Sequence, residues 1–527
     1  MDSSTTSPSG SRREVVTDMM TERSPLTLDR VRREGQTFME EVSREFYAAH
    51  AGLKPNAELQ PIYERHARVL GVDAMQMVRE EFLAAPIESE ARRASRLLLE
   101  WQVESQAGRV VAALEEREIA WEASAAVTVP HGRTVAYQRV PIELANLTDR
   151  AERLALDEAR AALVERELVP IRRERLQRER EFVEDLQIAE GYNATFTMLS
   201  GIDLDGLIAA CRQCLRDTQA MWDDLLPPAA RRSLGVSVGE LTRADALALL
   251  RASEFDRYFP GDAMETVVRR QVAEMGIDPG AGGRIRFDTG DREGKRARAF
   301  CAPVRVPEEV YLVMRPHGGQ TDYQTLLHEL GHALHFAYTR SDYPFEYRWV
   351  GDNSVTESYA MLFDHLMQSP GWLLRYSKLG RRELPTFLRA AALEELQFLR
   401  RYCAKLIYEA ELYAADGDWD RLSDLYVETL TGATSFRYRR ADAFIDVDAR
   451  FYAARYLRAW QLGALIAAVL TERYNEDWYR NPQAGPWLIE QLLAEGQREL
   501  ASEIAERIAG ERLSFAPVIQ AVEQLVR

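Results

Sequence analysis

Over most of the chain, apolar residues recur every three or four positions on faces that are otherwise charged: from about residue 25 to 186, and again from about 384 to the end. Segments such as "LDRVRREGQTFMEEVSREFYAA" and "RRASRLLLEWQVESQAGRVVAALEEREIAWEA" carry this period, which restricts the chain to a mainly α fold. The charge-dense "RELVPIRRERLQREREFVEDL" reads as one long solvated helix rather than a binding patch. One region departs from the pattern. "GRIRFD" (283–288), the turn-rich "TGDREGKR" and "ARAFCAPVRV" read as a hairpin, and "EEVYLVMRP" as a further strand. "HGGQTD" then breaks the strand before a central helix begins. The expected body is helical, with a small β-sheet beside that helix and a site lying against a sheet edge.

A chain of 527 residues holds several domain-sized units or one large two-lobed fold. Residues 1–24 are polar, lack the apolar core of a secretory signal and read as a disordered tail. A helical lobe is expected over 25–195, and a second lobe carrying the central helix over 196–527. The net charge of −16 repels phosphate backbones and anionic lipid, which argues against nucleic acid and membrane surfaces as partners. No apolar run approaches the roughly 18 residues that would span a bilayer, and a cytoplasmic location is expected. Cys211 and Cys214 form a lone C-x-x-C within a helical pattern. With no second pair to complete a zinc site, they read as packed thiols.

The central helix holds the chemistry. Three of the eight histidines stand within eight positions of "TLLHELGHALHFAY" (325–338). His328, Glu329 and His332 form H-E-x-x-H, which chance would produce in about one such chain in a hundred. A spacing of four places the two imidazoles on one helix face, about 6 Å apart along the axis, where both can reach one tetrahedral zinc. Glu329 is turned about 100° away, placed to face a water on the metal rather than to ligate it. Leu326, Leu330, Ala333 and Ala337 form an apolar stripe on the opposite side, which would seat the helix in the core.

Two histidines leave the site open. His335 shares their face, but roughly 10 Å of rise separates it from His328, so it reads as a packing or supporting residue. The better third ligand is Glu357 in "VGDNSVTESYAMLFDHLMQ", on a fresh helix that Asn353 or Ser354 can cap. Asp364, seven positions on, is placed to accept a hydrogen bond from a ligating imidazole. Three protein ligands leave one coordination position for water, the mark of a catalytic rather than a structural zinc.

"TLLHELGHALH" with a glutamate 25 residues after His332, preceded by "DREGKRARAFC", resembles the thimet oligopeptidase and oligopeptidase F family of zinc metallopeptidases. The similarity covers roughly residues 284 to 368. It implies a two-lobed helical fold with a deep cleft, short peptides as substrates cut at internal bonds, one Zn2+ per chain on His328, His332 and Glu357, and Glu329 as general base. The chain also departs from the family. Arg298 stands where the family has a histidine, and no histidine follows His365 to serve on a late helix. The late candidates are Tyr452 and Tyr456 in "DARFYAARYLRAWQLGALI", as donors to the oxyanion of the reacting carbonyl.

Two alternatives stand beside this reading. A metallocarboxypeptidase of similar helical fold would need a cation for the terminal carboxylate, and Arg298, Arg455 or Arg458 could supply it. A zinc-containing peptide-binding protein without catalysis would have no use for Glu329. Mn or Co suits the same ligands as zinc.

Overall fold

A computed structural model describes residues 25–129, 132–415 and 417–527; the expected tail over residues 1–24 lies outside them. The fold is mainly α with two small sheets, as the periodicity predicts. Helix α1 (Leu28–His50) starts at Thr27, whose hydroxyl accepts from the Arg30 amide at 3.3 Å, and it buries Val31, Gly35, Phe38 and Val42 at the helical repeat. Helix α2 (Glu90–Ser124) is capped in the same way by Ser89.

The N-terminal region departs from its all-helical expectation in two places. Strands β1 (Ala126–Thr128) and β2 (Thr134–Ala136) pair antiparallel, with Val127 and Val135 inward between exposed neighbours. The period-two alternation in "AAVTVPHGRTVAY" is the signal for this pair. The charge-dense segment is not one helix but the meeting of two, Arg150–Glu167 and Val169–Asp185. Pro170 has no N–H to continue the first ladder and sits in the opening turn of the second. This second helix buries only Val169, Glu179 and Val183, and its Arg175 pairs with Glu115 and Glu118 of α2.

The sheet beside the site comprises β3 (Ile285–Asp288), β4 (Phe300–Arg305) and β5 (Glu309–Val313), in the order β3-β5-β4. The expected hairpin of the first two segments is therefore corrected. β4 pairs antiparallel with β5, while β3 joins the far side of β5 in parallel. Only residues 306–308 separate β4 from β5, so these two close as the tight hairpin. The longer segment 289–299 is tethered by Lys295, whose buried ammonium donates to the Asp288 carboxylate at 3.0 Å and to the Gly290 carbonyl at 2.7 Å. Strand "EEVYLVMRP" is thus central, and the sheet edge nearest the histidine helix belongs to β4. Helix α1 covers this sheet: Tyr47 stacks on Tyr311 at 3.8 Å and donates to Asp288 at 3.1 Å, and Arg44 pairs with Glu309 at 3.0 Å.

Helices α3 (Gln320–Tyr338), α4 (Asn353–Asp364), α5 (Leu384–Ala414) and α6 (Tyr452–Tyr474) complete the surroundings of the site. One core joins Val31, Phe38 and Leu98 of the N-terminal helices to Leu399, Cys403 and Leu457 of α5 and α6. Cys211, Cys214 and Cys403 are buried free thiols, in keeping with the packing role read for the C-x-x-C pair. No single helix among the described residues is long and apolar enough to cross a membrane.

Candidate active site

Helix α3 is held by its apolar side. Leu326, Leu327, Leu330, Ala333, Leu334 and Ala337 are fully buried, each leucine stabilising the packed helix by about 1.5–3 kcal/mol. Against this helix lies α4, at a distance that Gly331 permits: a Cβ there would stand 2.4 Å from the Tyr359 carbonyl oxygen. A side chain at the glycine of H-E-x-G-H would push the two helices apart and separate the histidines from Glu357. Helix α4 is capped by Asp352, which accepts from the Ser354 amide at 2.9 Å and from the Ala501 amide at 3.0 Å, and not by Asn353 or Ser354. The capping carboxylate thus lies one residue before the pair read from the sequence and also ties α4 to the C-terminal helices.

The structure brings His328, His332 and Glu357 together. Their ligand atoms lie within 4.8 Å of one another, with Glu357 Oε2 at 3.4 Å from His328 Nε2 and 3.6 Å from His332 Nε2. A tetrahedral zinc with bonds of about 2.0–2.2 Å separates its ligand atoms by roughly 3.3–3.6 Å, so the spacing fits the metal. The outer ring nitrogens are engaged elsewhere. His328 Nδ1 donates to Asp364 at 2.8 Å, as the seven-residue spacing predicts, and His332 Nδ1 meets the Thr356 hydroxyl at 2.9 Å. Both Nε2 atoms then point inward. Glu357 Oε2, although buried, has no hydrogen-bond partner among the described residues; an orphaned carboxylate oxygen beside two imidazole nitrogens suits a cation.

Electrostatics favour positive charge at the same point. Burial opposes the Glu357 carboxylate, but the His332 and His328 rings and the Tyr452 hydroxyl outweigh it and hold the carboxyl at about 2. Burial likewise disfavours a charged His328, yet Asp364 and Glu357 raise it to about 10, whereas burial dominates at His332 and lowers it. A divalent cation would take the place of the His328 proton. His335 does not join the site: it is fully buried against Phe336 and Tyr359, and burial holds its imidazole down at about 3.

Glu329 is anchored from the sheet. Its Oε2 accepts from the Cys301 amide of β4 at 2.9 Å, and the other oxygen has no hydrogen bond among the described residues. The two tyrosines separate in role. Tyr452 donates to Glu357 Oε1 at 2.6 Å and so holds the outer oxygen of the candidate ligand. Tyr456 stacks on Tyr402, with ring centroids 5.4 Å apart, and its hydroxyl has no hydrogen bond among the described residues. Burial, then Glu357, pushes the Tyr456 phenol well above its usual range, so it stays a donor. Of the three arginines, Arg455 is buried in an ion pair with Glu100, and Arg458 reaches only Gln461 at 3.5 Å. Exposed Arg298 shares an electrostatic neighbourhood with Tyr456. Sequence reasoning missed Thr356, Tyr402 and the Cys301 amide. Thr356 sits directly before Glu357, but an adjacent hydroxyl is too common to single out.

A mainly helical body with a histidine–histidine–carboxylate cluster on facing helices has the architecture of a helical metallopeptidase. A solved structure of Pyrococcus furiosus carboxypeptidase shares this fold with a TM-score of 0.60, covering 96% of this chain and 99% of that one at 11% identity. The model of peptidase family M3 matches residues 262–524, which include the sheet, the histidine helix and the late tyrosine helix. The chain belongs to peptidase family M3 and is a metallopeptidase. No curated protein matches it in sequence.

Proposed function

We propose that this metallopeptidase is a zinc-dependent oligopeptidase, with one zinc per chain, that hydrolyses internal bonds of short peptides. The observation that carries the proposal is the convergence of His328, His332 and Glu357 on one point, with Glu329 anchored beside them by the Cys301 amide. Zinc at that point would supply Lewis acidity to a water and to the scissile carbonyl. Glu329 uses its second oxygen to take the proton of the attacking water and to return it to the leaving amine. Tyr456 donates its unengaged hydroxyl to the developing oxyanion. Tyr452, Asp364 and Thr356 orient the three ligands through their outer atoms. Along β4, the Cys301 amide points off the sheet to Glu329. By strand alternation its carbonyl points the same way and can pair with an extended peptide. This edge replaces the one expected beside "YLVMRP". The proposal places the protein in the cytoplasm and divides it near residue 195 into a helical lobe and a catalytic lobe.

The tyrosine roles separate experimentally. Tyr452→Phe is expected to weaken zinc binding about ten- to a hundredfold, read by titration against a competing chelator. Tyr456→Phe is expected to keep its zinc and lose about two to three orders of magnitude in kcat with modest change in KM. An exchange of these outcomes would reverse the assignment.

Helices precede and follow the site along the chain: α1 and α2 before the sheet, α5 and α6 after it. Substrates are therefore expected to be limited in size to peptides of roughly 5 to 20 residues, with little attack on casein and none on folded proteins. Mass spectrometry of a mixed peptide library, run beside labelled casein, tests the proposal. Efficient casein digestion defeats the size limit. Removal of single terminal residues supports the metallocarboxypeptidase reading, for which Arg298 is the one arginine of the three without an ion pair or hydrogen bond among the described residues. No cleavage by the zinc-loaded protein supports peptide binding without catalysis, against which the anchoring of Glu329 stands.

A further inference from the structure

We propose that Glu395 of α5 is a positioning residue for the reaction, a single buried carboxylate that holds both the histidine side of the metal cluster and the tyrosine face of α6. This inference rests on the zinc peptidase reading above. Glu395 accepts three hydrogen bonds from separate parts of the fold. Its Oε1 accepts from His365 Nε2 at 2.9 Å and from the Trp460 indole at 2.6 Å, and its Oε2 accepts from the Gln368 amide at 2.9 Å. A buried carboxylate is tolerated when its oxygens are met in this way, yet a packed apolar residue of the same volume often gives equal stability. The charge therefore points to a use beyond packing.

One arm leads to the metal ligands. His365 and Gln368 bound the short turn that follows α4, and Glu395 grips both. His365 Nδ1 stands 3.5 Å from Asp364 Oδ1, while Asp364 Oδ2 accepts from His328 Nδ1 at 2.8 Å. Imidazole and carboxylate thus alternate in the order His328, Asp364, His365, Glu395. Burial opposes a charged His365, but Glu395 and Asp364 outweigh it and raise the ring to about 9. A cation behind Asp364 steadies the carboxylate that in turn orients His328. The other arm leads to the phenols. Trp460 follows Tyr452 and Tyr456 at four-residue steps on one face of α6, and Tyr402 lies two turns beyond Glu395 on α5. The Trp460 ring meets Tyr402 edge-on at 5.8 Å between centroids, and Tyr402 stacks on Tyr456 at 5.4 Å. Glu395 and Tyr402 together fix the rotation of α6. That rotation sets the approach of Tyr452 to Glu357 and the direction of the Tyr456 hydroxyl.

The test uses the full chain and reads zinc affinity and kcat separately. Glu395→Gln keeps the size and one acceptor but loses the charge. It is expected to weaken zinc about tenfold against a competing chelator. Saturated with zinc, it is expected to lose about tenfold in kcat on a short peptide, with KM within about twofold. His365→Gln is expected to weaken zinc as well, and adding it to Glu395→Gln should cost less than about threefold more, because both act through Asp364. Trp460→Phe keeps an aromatic ring and deletes the donor; it is expected to lower kcat, again with little added to Glu395→Gln. Folded Glu395→Gln within about twofold of the wild type in both readouts overturns the proposal while the peptidase reading survives. Losses of Glu395→Gln and His365→Gln that add in full also overturn it. Should Glu395→Gln not fold, the partner variants decide: zinc affinity of the wild type in His365→Gln, or its kcat in Trp460→Phe, overturns the proposal. A zinc-loaded wild type that cleaves no peptide overturns the peptidase reading and this inference with it.

Discussion

Replacing Glu329 with glutamine is expected to leave zinc in place and lower turnover by about two to four orders of magnitude. The amide oxygen of glutamine can still accept from the Cys301 N–H, which anchors the native carboxylate at 2.9 Å, so the side chain keeps its position. What it loses is a group able to accept the proton of the attacking water. Elemental analysis of the purified variant should find the metal content of the wild type, and steady-state assay on a short peptide should find the loss in kcat. A rate near that of the wild type would remove Glu329 from the mechanism and move attention to other bases near β4.

The second large effect is expected at Glu357. Glu357→Ala leaves the two imidazoles but removes the only carboxylate oxygen among the described residues within 3.6 Å of both Nε2 atoms, and zinc content should fall from about one per chain to near zero, with activity falling alongside it. The loss should exceed the ten- to hundredfold effect expected of an outer partner such as Tyr452. His332→Ala should behave alike, and circular dichroism of each variant confirms that the helices persist. Stoichiometric zinc in folded Glu357→Ala would mean that another group closes the site. Asp364 is the nearest candidate, since it already reaches the far side of His328 at 2.8 Å.

Local chemistry was legible in the residues. His328 and His332 share a helix face because four residues make roughly one turn, Glu329 turns away by the same geometry, and Asp364 lies two turns beyond Glu357. The helical body and the strand "EEVYLVMRP" were also readable, since the period of apolar residues reports which face of an element is buried. These relations are set within one element by backbone geometry, and they hold wherever that element packs.

Contacts between distant elements were decided only by the tertiary structure. The order β3-β5-β4 follows from which strands a short turn can join, and it moved the free sheet edge from β5 to β4. The anchoring of Glu329 by the Cys301 amide follows from that order. Tyr452 and Tyr456 are indistinguishable in sequence as two phenols one turn apart. Packing of α6 on α4, where Gly463 lets the Ser358 carbonyl approach, presents one to Glu357 across 95 positions of chain and leaves the other unengaged. The three arginines look equivalent along the chain, but Glu100 of α2 pairs with buried Arg455, whereas Arg298 is exposed and has no hydrogen bond or ion pair among the described residues. Spacing along a helix or strand follows from residues a few bonds apart. The neighbours a side chain meets across the fold depend on how buried surfaces hundreds of residues apart fit together, which no local pattern encodes.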